Sequence, residues 1–295
     1  MQASVQLVLI GLGIGSIYAL VALGFVLIYK CTGILNLAQG NLVLLGAYLG
    51  YCFAGQLGLP WWMAILIILL VVAVFAVVLE RLALRPLLGK PILAQILMTL
   101  GLASLLQGFI LIIWGGNLQK LPAIFPTTGA LTVLNAQLSY ENAAGIVLAI
   151  LLLLIFAAFF KYTQIGLRMR AVADDAVAAQ AVGVQLSRIY QVSWAVSGIV
   201  AALGGILLGS IGGVHGGLAD LGLKSIVVVL LGGLESVYGV MIAGAILGLI
   251  EVFAIQYVDP LIGGGIQDIV AFAILIPVLL LLPYGLFGWK RIERV

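Results

Sequence analysis

Three amide side chains, Asn36, Gln39 and Asn41, fall within six residues of an otherwise apolar stretch, GILNLAQGNLVLLGAY, which Gly33 and Gly40 interrupt. In hydrocarbon such groups cost free energy and tend to face a bundle interior or an aqueous pathway. Glycine-interrupted helices often line binding sites, because freed backbone groups are tolerated only against protein or a water-filled cavity. The cluster therefore reads either as pathway lining or as interhelical hydrogen bonding. Thr99, Ser104 and Gln107 form a second polar face at loosely helical spacing, open to the same two readings. Glu235, in LLGGLESVYG, reads as a turn residue at the membrane surface, and Glu251 as a carboxylate whose partner the sequence does not identify.

Catalytic constellations are missing. There is no GxSxG or HExxH, and the single histidine, His215, lies among Gly212, Gly213, Gly216 and Gly217, where it reads as a loop residue. Cys31 and Cys52 lack the spacing and histidine partners of a metal site and read as small buried residues. No catalytic residue, metal ligand or cofactor of this chain's own is expected.

The elements that must hold these groups follow from composition. Hydrophobic residues make up 64% of the 295 and charged residues 8%, against about 25% charged in a soluble domain; mean hydropathy is +1.32. Charge-free runs such as Met1–Tyr29, Cys31–Leu79, Pro91–Gln119, Asn142–Phe160 and Ile269–Trp289 reach or approach the roughly 20 residues a helix needs to cross the bilayer. They are apolar on every face, whereas barrel strands alternate. The expected fold is an all-α polytopic transmembrane helical bundle, a single permease domain over 1–295. Spans are expected near 5–29, 33–57, 61–82, 92–114, 142–160, 189–211, 238–258 and 267–285, with a short piece at 221–234 that crosses or re-enters, eight or nine in all. No basic region precedes the first run, so a cleaved secretory signal is not expected.

Basic residues fix the orientation. If 80–90, 161–188 and 290–295 share one side, that side holds Lys30, Arg81, Arg85, Lys90, Lys161, Arg168, Arg170, Arg188, Lys290, Arg291 and Arg294, leaving Lys120 and Lys224 opposite. Eleven against two marks the cytoplasmic face. Returning the C-terminus there requires 221–234 to cross. The largest outside connection, Gly115 to Glu141 with Pro122 and Pro126, is either a docking surface or a loop packed over the helices. Gly11, Gly15 and Ala19, and again Gly244 and Gly248, recur at the four-residue spacing that lets helix backbones approach in lipid.

The largest inside connection is KYTQIGLRMRAVADDAVAAQAVGVQLSR, 161–188. Its alanine-rich middle, Met169 to Val182, predicts a short helix ended by Gly183. Held between two spans, with Arg170, Asp174, Asp175 and Arg188 around it, such a helix could serve as a lever for a soluble motor or be a plain solvated loop.

Four stretches decide between these. GFVLIYKCTGILNLAQGNLVLLGAY (24–48), ERLALRPL (80–87), TQIGLRMRAVADDAVAAQAVGV (163–184) and GLKSIVVVLLGGLESVYGVMIAGAILGLIE (222–251) resemble the LivH/LivM-type permeases of bacterial branched-chain amino acid ABC importers, more closely the LivH branch. The resemblance covers most of the chain. It implies a permease subunit in the inner membrane, working by ATP-driven alternating access with a second, LivM-like permease, two ATP-binding subunits and a periplasmic solute-binding protein. It implies no role for nucleic acid, and ATP would be used by the partner subunits alone. It also implies that the helix near 169–183 couples to the ATPase through Arg170, Ala171, Asp174, Asp175 and Gly183. DDAVAAQAVG departs from the acidic-Ala-Ala form usual in other importers. The translocation pathway would be lined by Asn36, Gln39, Asn41, Thr99 and Gln107. Substrate stays open among branched-chain amino acids, urea, amides and aromatic acids. The competing readings are a stand-alone ion-coupled carrier and a passive small-solute channel.

Overall fold

A computed structural model describes residues 2–87, 89–124, 130–133 and 136–288. Lys290, Arg291 and Arg294 of the basic C-terminal cluster, and Pro126 of the long connection, lie outside the described residues. The chain runs through α1 (Gln2–Thr32), α2 (Gln39–Gly50) continued by a π turn (Tyr51–Gln56), α3 (Trp61–Leu79) with a π turn and a short 3-10 turn after it, and α4 (Ile92–Trp114). A two-stranded antiparallel hairpin follows, β1 (Ala130–Val133) and β2 (Ala136–Ser139). Then come α5 (Tyr140–Tyr162), α6 (Gln164–Asp174), α7 (Ala176–Ala181), α8 (Leu186–Gly212), α9 (Leu218–Gly232), α10 (Val237–Tyr257), α11 (Asp259–Ile262) and α12 (Ile266–Leu281).

Among the described residues, six helices are long and apolar enough to cross a bilayer: Ser4–Thr32, Trp61–Leu87, Ile92–Trp114, Gly145–Tyr162, Leu186–Gly212 and Val237–Tyr257. Each coincides with an expected span. The other three expected segments are helices too, but α2, α9 and α12 have only 12, 15 and 16 residues.

The chain divides into two compact units, with divisions inside α1, α5 and α9 and a fourth in the connection after α4. Unit one contains Met1–Val26, Phe125–Leu153 and Lys224–Val295; unit two contains Leu27–Ile124 and Leu154–Leu223. In unit two, α3 buries a single stripe, Ala64, Ile68, Val72 and Ala76, four residues apart, while Trp62, Leu66 and Leu70 are exposed. An apolar face left open in this way is the mark of a helix whose solvent is lipid. Ala64, Ile68 and Val72 pack with Leu49, Ala202 and Ile206 in one core cluster; Ala76 joins Ile28, Ile34, Leu84 and Trp194 in another. The helices α2 and α8 approach through Gly46 and Gly205: a Cβ on Gly46 would run into Ala202, and one on Gly205 into the Val43 carbonyl.

Unit one uses the same device where the sequence pointed to it. A Cβ on Gly15 would meet the Gly244 carbonyl, one on Gly248 the Gly11 carbonyl, and Gly244 also faces Ala19. Small residues let van der Waals contact do the work that water-driven association cannot do in lipid.

Three expectations need correction. The span expected at 33–57 does not begin as helix. Gly33, at φ 73°, ends α1, and Gly33–Ala38 is non-helical. The helix expected from Met169 to Val182 is two helices, α6 and α7, because Asp175 adopts an extended backbone and caps the second. Lys224, counted among the charges on the outer side, is not exposed there; it sits within α9 and is buried against Glu251. The connection 115–141 also carries the hairpin, which apolar periodicity did not reveal.

Candidate functional site

Unit two carries both groups of residues singled out in the sequence. At the connection between α5 and α8, Thr163 caps α6, its hydroxyl accepting from the Gly166 amide at 3.0 Å. Gly166 is packed against the Phe160 carbonyl, which sets a tight corner at the end of α5. Asp175 then breaks the helix and restarts it: Oδ1 accepts from the amides of Val177 and Ala178, both at 2.9 Å. This satisfies donors at an N-terminus that would otherwise be unpaired. At the other end, the Gly183 amide donates to Gln180 O and the Val184 amide to Ala179 O, each at 3.0 Å. That pair of bonds requires a left-handed residue, and Gly183 has φ 90°.

The product is an elbow fixed at three points. Met169, Val172 and Ala179 are buried, while Val177 and Val182 are 78% and 82% exposed. Of the coupling candidates, Asp174, Asp175 and Gly183 are exposed, and Arg170 and Ala171 half-buried. Asp175 and Gly183 shape the elbow; Arg170 faces inward, its guanidinium 6.0 Å from the centre of the Phe160 ring. Lys30, at the end of α1, approaches the same ring at 5.5 Å. The buried Phe160 thus accepts two cations, each an attraction of about 0.5–2 kcal/mol.

Three residues past Lys30 the chain leaves the helix. Thr32 Oγ1 donates to the Ile28 carbonyl at 2.7 Å and accepts from the Ile34 amide at 3.3 Å. Asn36 Oδ1 accepts from the Ala38 amide at 3.1 Å, turning the chain into α2. Side chains thus take over backbone groups that helix would have satisfied. Gln39 is held at both ends of its amide: its Nε2 donates to the Ser197 carbonyl at 3.2 Å, and its Oε1 accepts from Ser197 Oγ at 2.9 Å and from Asn36 Nδ2 at 3.5 Å. Asn36, Gln39, Thr99 and Ser197 are all completely buried.

Thr99 joins this assembly by donating to Leu35 O at 3.4 Å and to Ile96 O at 2.9 Å. Asn41 is buried, and its Oδ1 has no hydrogen-bond partner among the described residues. The polar face drawn through Thr99, Ser104 and Gln107 does not hold together. Thr99 shares the buried face of α4 with Gln95, whereas Ser104 is exposed and Gln107 half-buried. Ser197 was missed, although Ser193 and Ser197, four residues apart and both buried, are a helical pair of small hydroxyls in VSWAVSG.

Unit one contributes an ion pair. Lys224 Nζ lies 3.6 Å from Glu251 Oε1 and donates to the Gln267 carbonyl at 2.9 Å; Tyr18 Oη donates to the same carboxylate oxygen at 3.3 Å. The pair joins α1, α9, α10 and α12. Glu235 sits in the expected turn between α9 and α10, where Ser236 Oγ caps α10 through the Gly239 amide at 2.9 Å. His215 turns its Nδ1 to the Gly217 amide at 3.1 Å, a local loop contact. The start of the long connection is held down over unit two by Gln119 paired with Val214, Trp61 Nε1 on Ala123 O and Tyr48 Oη on Gly115 O. Among the described residues no three His, Cys, Asp or Glu side chains gather to hold a metal ion.

Long apolar helices with lipid-ready faces define a multi-pass membrane protein. Residues 7–279 match the family described as branched-chain amino acid transport system / permease component, and the chain belongs to that family. It is 28% identical to the high-affinity branched-chain amino acid transport system permease protein LivH of Escherichia coli K12, over 97% of this chain and 96% of that one. The corresponding protein of Pseudomonas aeruginosa, BraD, is 28% identical with the same coverage. A probable LivH of Methanocaldococcus jannaschii is 29% identical over 95% of this chain and 92% of its own length. No solved structure matches the chain.

Proposed function

We propose that this chain is the LivH-type subunit of an ATP-driven importer of branched-chain amino acids in the inner membrane. The observation that carries this reading is the α6–α7 elbow, whose apolar tip, Val177, is held out by Thr163, Asp175 and Gly183. An exposed apolar tip on a fixed mount suits a groove on a soluble partner. The names of the relatives supply the substrate class. ATP would be hydrolysed by two partner subunits, a LivM-like permease would complete the membrane part, and a periplasmic binding protein would deliver solute.

In this mechanism the partner ATPases move the elbow, and α8, which begins three residues after Gly183, carries the motion to Ser197 and the Gln39 amide. The non-helical stretch Gly33–Ala38 is the place where unit two yields. Asn36, Gln39, Asn41 and Thr99 lie at or beside it, and the unmet acceptor of Asn41 suits a surface that meets solute or water in another state. Gln107 is the outlying member of the pathway set. The positive-inside arrangement further requires nine crossings, so α2 with its π turn, α9 and α12 also traverse the bilayer. The 15-residue α9 spans about 22 Å of a core about 30 Å thick.

Gly183→Leu is the test. Space is not the obstacle, since nothing lies within 4 Å of a Cβ there; a left-handed leucine costs about 1–2 kcal/mol, a factor of about 5–30 in the population of the elbow. Membrane insertion should be normal, with ATP-dependent uptake lost or the ATPase subunits released. Gly183→Asn, which tolerates the left-handed region, should retain most uptake. Normal uptake by Gly183→Leu would remove the elbow from the mechanism.

A further inference from the structure

A cleft of about 250 Å³ opens beside the elbow in unit two, lined by Arg168, Val182, Gly183, Val184, Gln185, Arg188 and Ile189. Its two guanidiniums come from different elements, Arg168 from α6 and Arg188 from α8, and neither pairs with a carboxylate among the described residues. Gln185, at the N-cap of α8, makes no side-chain hydrogen bond to the first amides of that helix. The cleft is therefore cationic, with apolar walls from Val182, Val184 and Ile189.

The surroundings say which anion. Tyr162, at the end of a candidate span, is 76% exposed, and the Lys161 ammonium lies 5.1 Å from its ring centre. An exposed tyrosine and a lysine at the end of an apolar helix mark the headgroup level of a bilayer. Ile165 and Leu167 are exposed just beyond it, and Ile165 is three residues from Arg168, hence on the same face of α6. Apolar and basic groups shown together on the outer side of a helix at this depth suit contact with the lipid surface.

We propose that this cleft binds the phosphate of an anionic phospholipid of the cytoplasmic leaflet, Arg168 and Arg188 holding the headgroup while an acyl chain runs along Ile165. The site would tie the root of the elbow to the membrane and leave its tip, Val177, to the ATPase. The proposal goes beyond the importer reading and rests on it only for the ATPase at the tip; the sidedness of the 161–188 connection follows from the placement of the basic residues.

The test uses the importer complex purified in mild detergent, depleted of lipid and titrated with phosphatidylglycerol or phosphatidylcholine under native mass spectrometry. Phosphatidylglycerol should add to complexes of the wild type in preference to phosphatidylcholine. The double variant R168Q/R188Q should bind it about 25-fold more weakly, each arginine contributing about fivefold. Equal binding of the two lipids, or equal retention by the double variant, would overturn the proposal. So would loss of phosphatidylglycerol to millimolar inorganic phosphate with no preference for the lipid, which would make this a free-anion site. A double variant that keeps its lipid and sheds the ATPases would assign the cleft to a partner's carboxylate instead. Subunit composition is read in the same spectra, so failure of the lipid site and failure of the importer reading are separate results.

Discussion

Glu251→Leu, with Lys224 left in place, should destabilise the protein by about 3–5 kcal/mol, the usual cost of stranding one charge of a buried pair. Lys224 and Glu251 are 4% and 1% exposed, and the carboxylate supplies both the countercharge and the acceptor for Tyr18. The Gln267 carbonyl would still accept one hydrogen bond from the ammonium, which places the loss toward the lower end of that range. Thermal unfolding of the detergent-purified chain reads the effect. The double variant Lys224→Met/Glu251→Leu should return to wild-type stability or exceed it, since apolar replacements of similar volume remove the desolvation penalty of both ions. A single variant as stable as the wild type would mean that the pair is not buried as described. Uptake by the stable double variant would then show whether the pair serves transport as well as packing.

Gly205→Val is the second large effect expected. A side chain there meets backbone, the Val43 carbonyl and the Ala47 amide, not the movable end of a side chain. Relief therefore requires α2 and α8 to separate, at about 1–3 kcal/mol or more, and α8 carries the Ser197 hydroxyl that holds Gln39. The fraction of solubilised chain that elutes as a single species should fall sharply. Gly101→Val is the control: that position has nothing within 4 Å of a Cβ, and valine is the better helix former. Equal behaviour of the two variants would contradict the close crossing.

The parts of this molecule that could be read from sequence are those in which the signal is local. Apolar runs located the long spans, because lipid demands unbroken hydrophobicity along each one. The spacing of Gly11, Gly15 and Ala19 and of Gly244 and Gly248 located a crossing, because only small residues permit it. Gly183 marked a helix end for a local reason too, its left-handed backbone. Lys224 and Glu251 stand 27 residues apart on different helices, and nothing at that separation announces a pair, so the sequence shows Lys224 only as an isolated charge on the outer side. The restart at Asp175 was hidden because alanine-rich sequence on both sides favours helix, and one aspartate capping from an extended backbone overrides it. Ser104 and Gln107 show the limit of spacing as evidence: they recur at nearly helical intervals from Thr99, yet only Thr99 reaches the buried face of α4.

The central claim is that this chain works as one subunit of an ATP-driven importer and not alone. Gentle-detergent purification from its native membrane, with mass spectrometric identification of the co-purifying proteins, tests it most directly. Two ATP-binding subunits and a second permease should accompany the chain, and Gly183→Leu should reduce the ATPases recovered with it. Recovery of this chain alone, under conditions in which other importers stay intact, would contradict the account and point to a stand-alone carrier or channel.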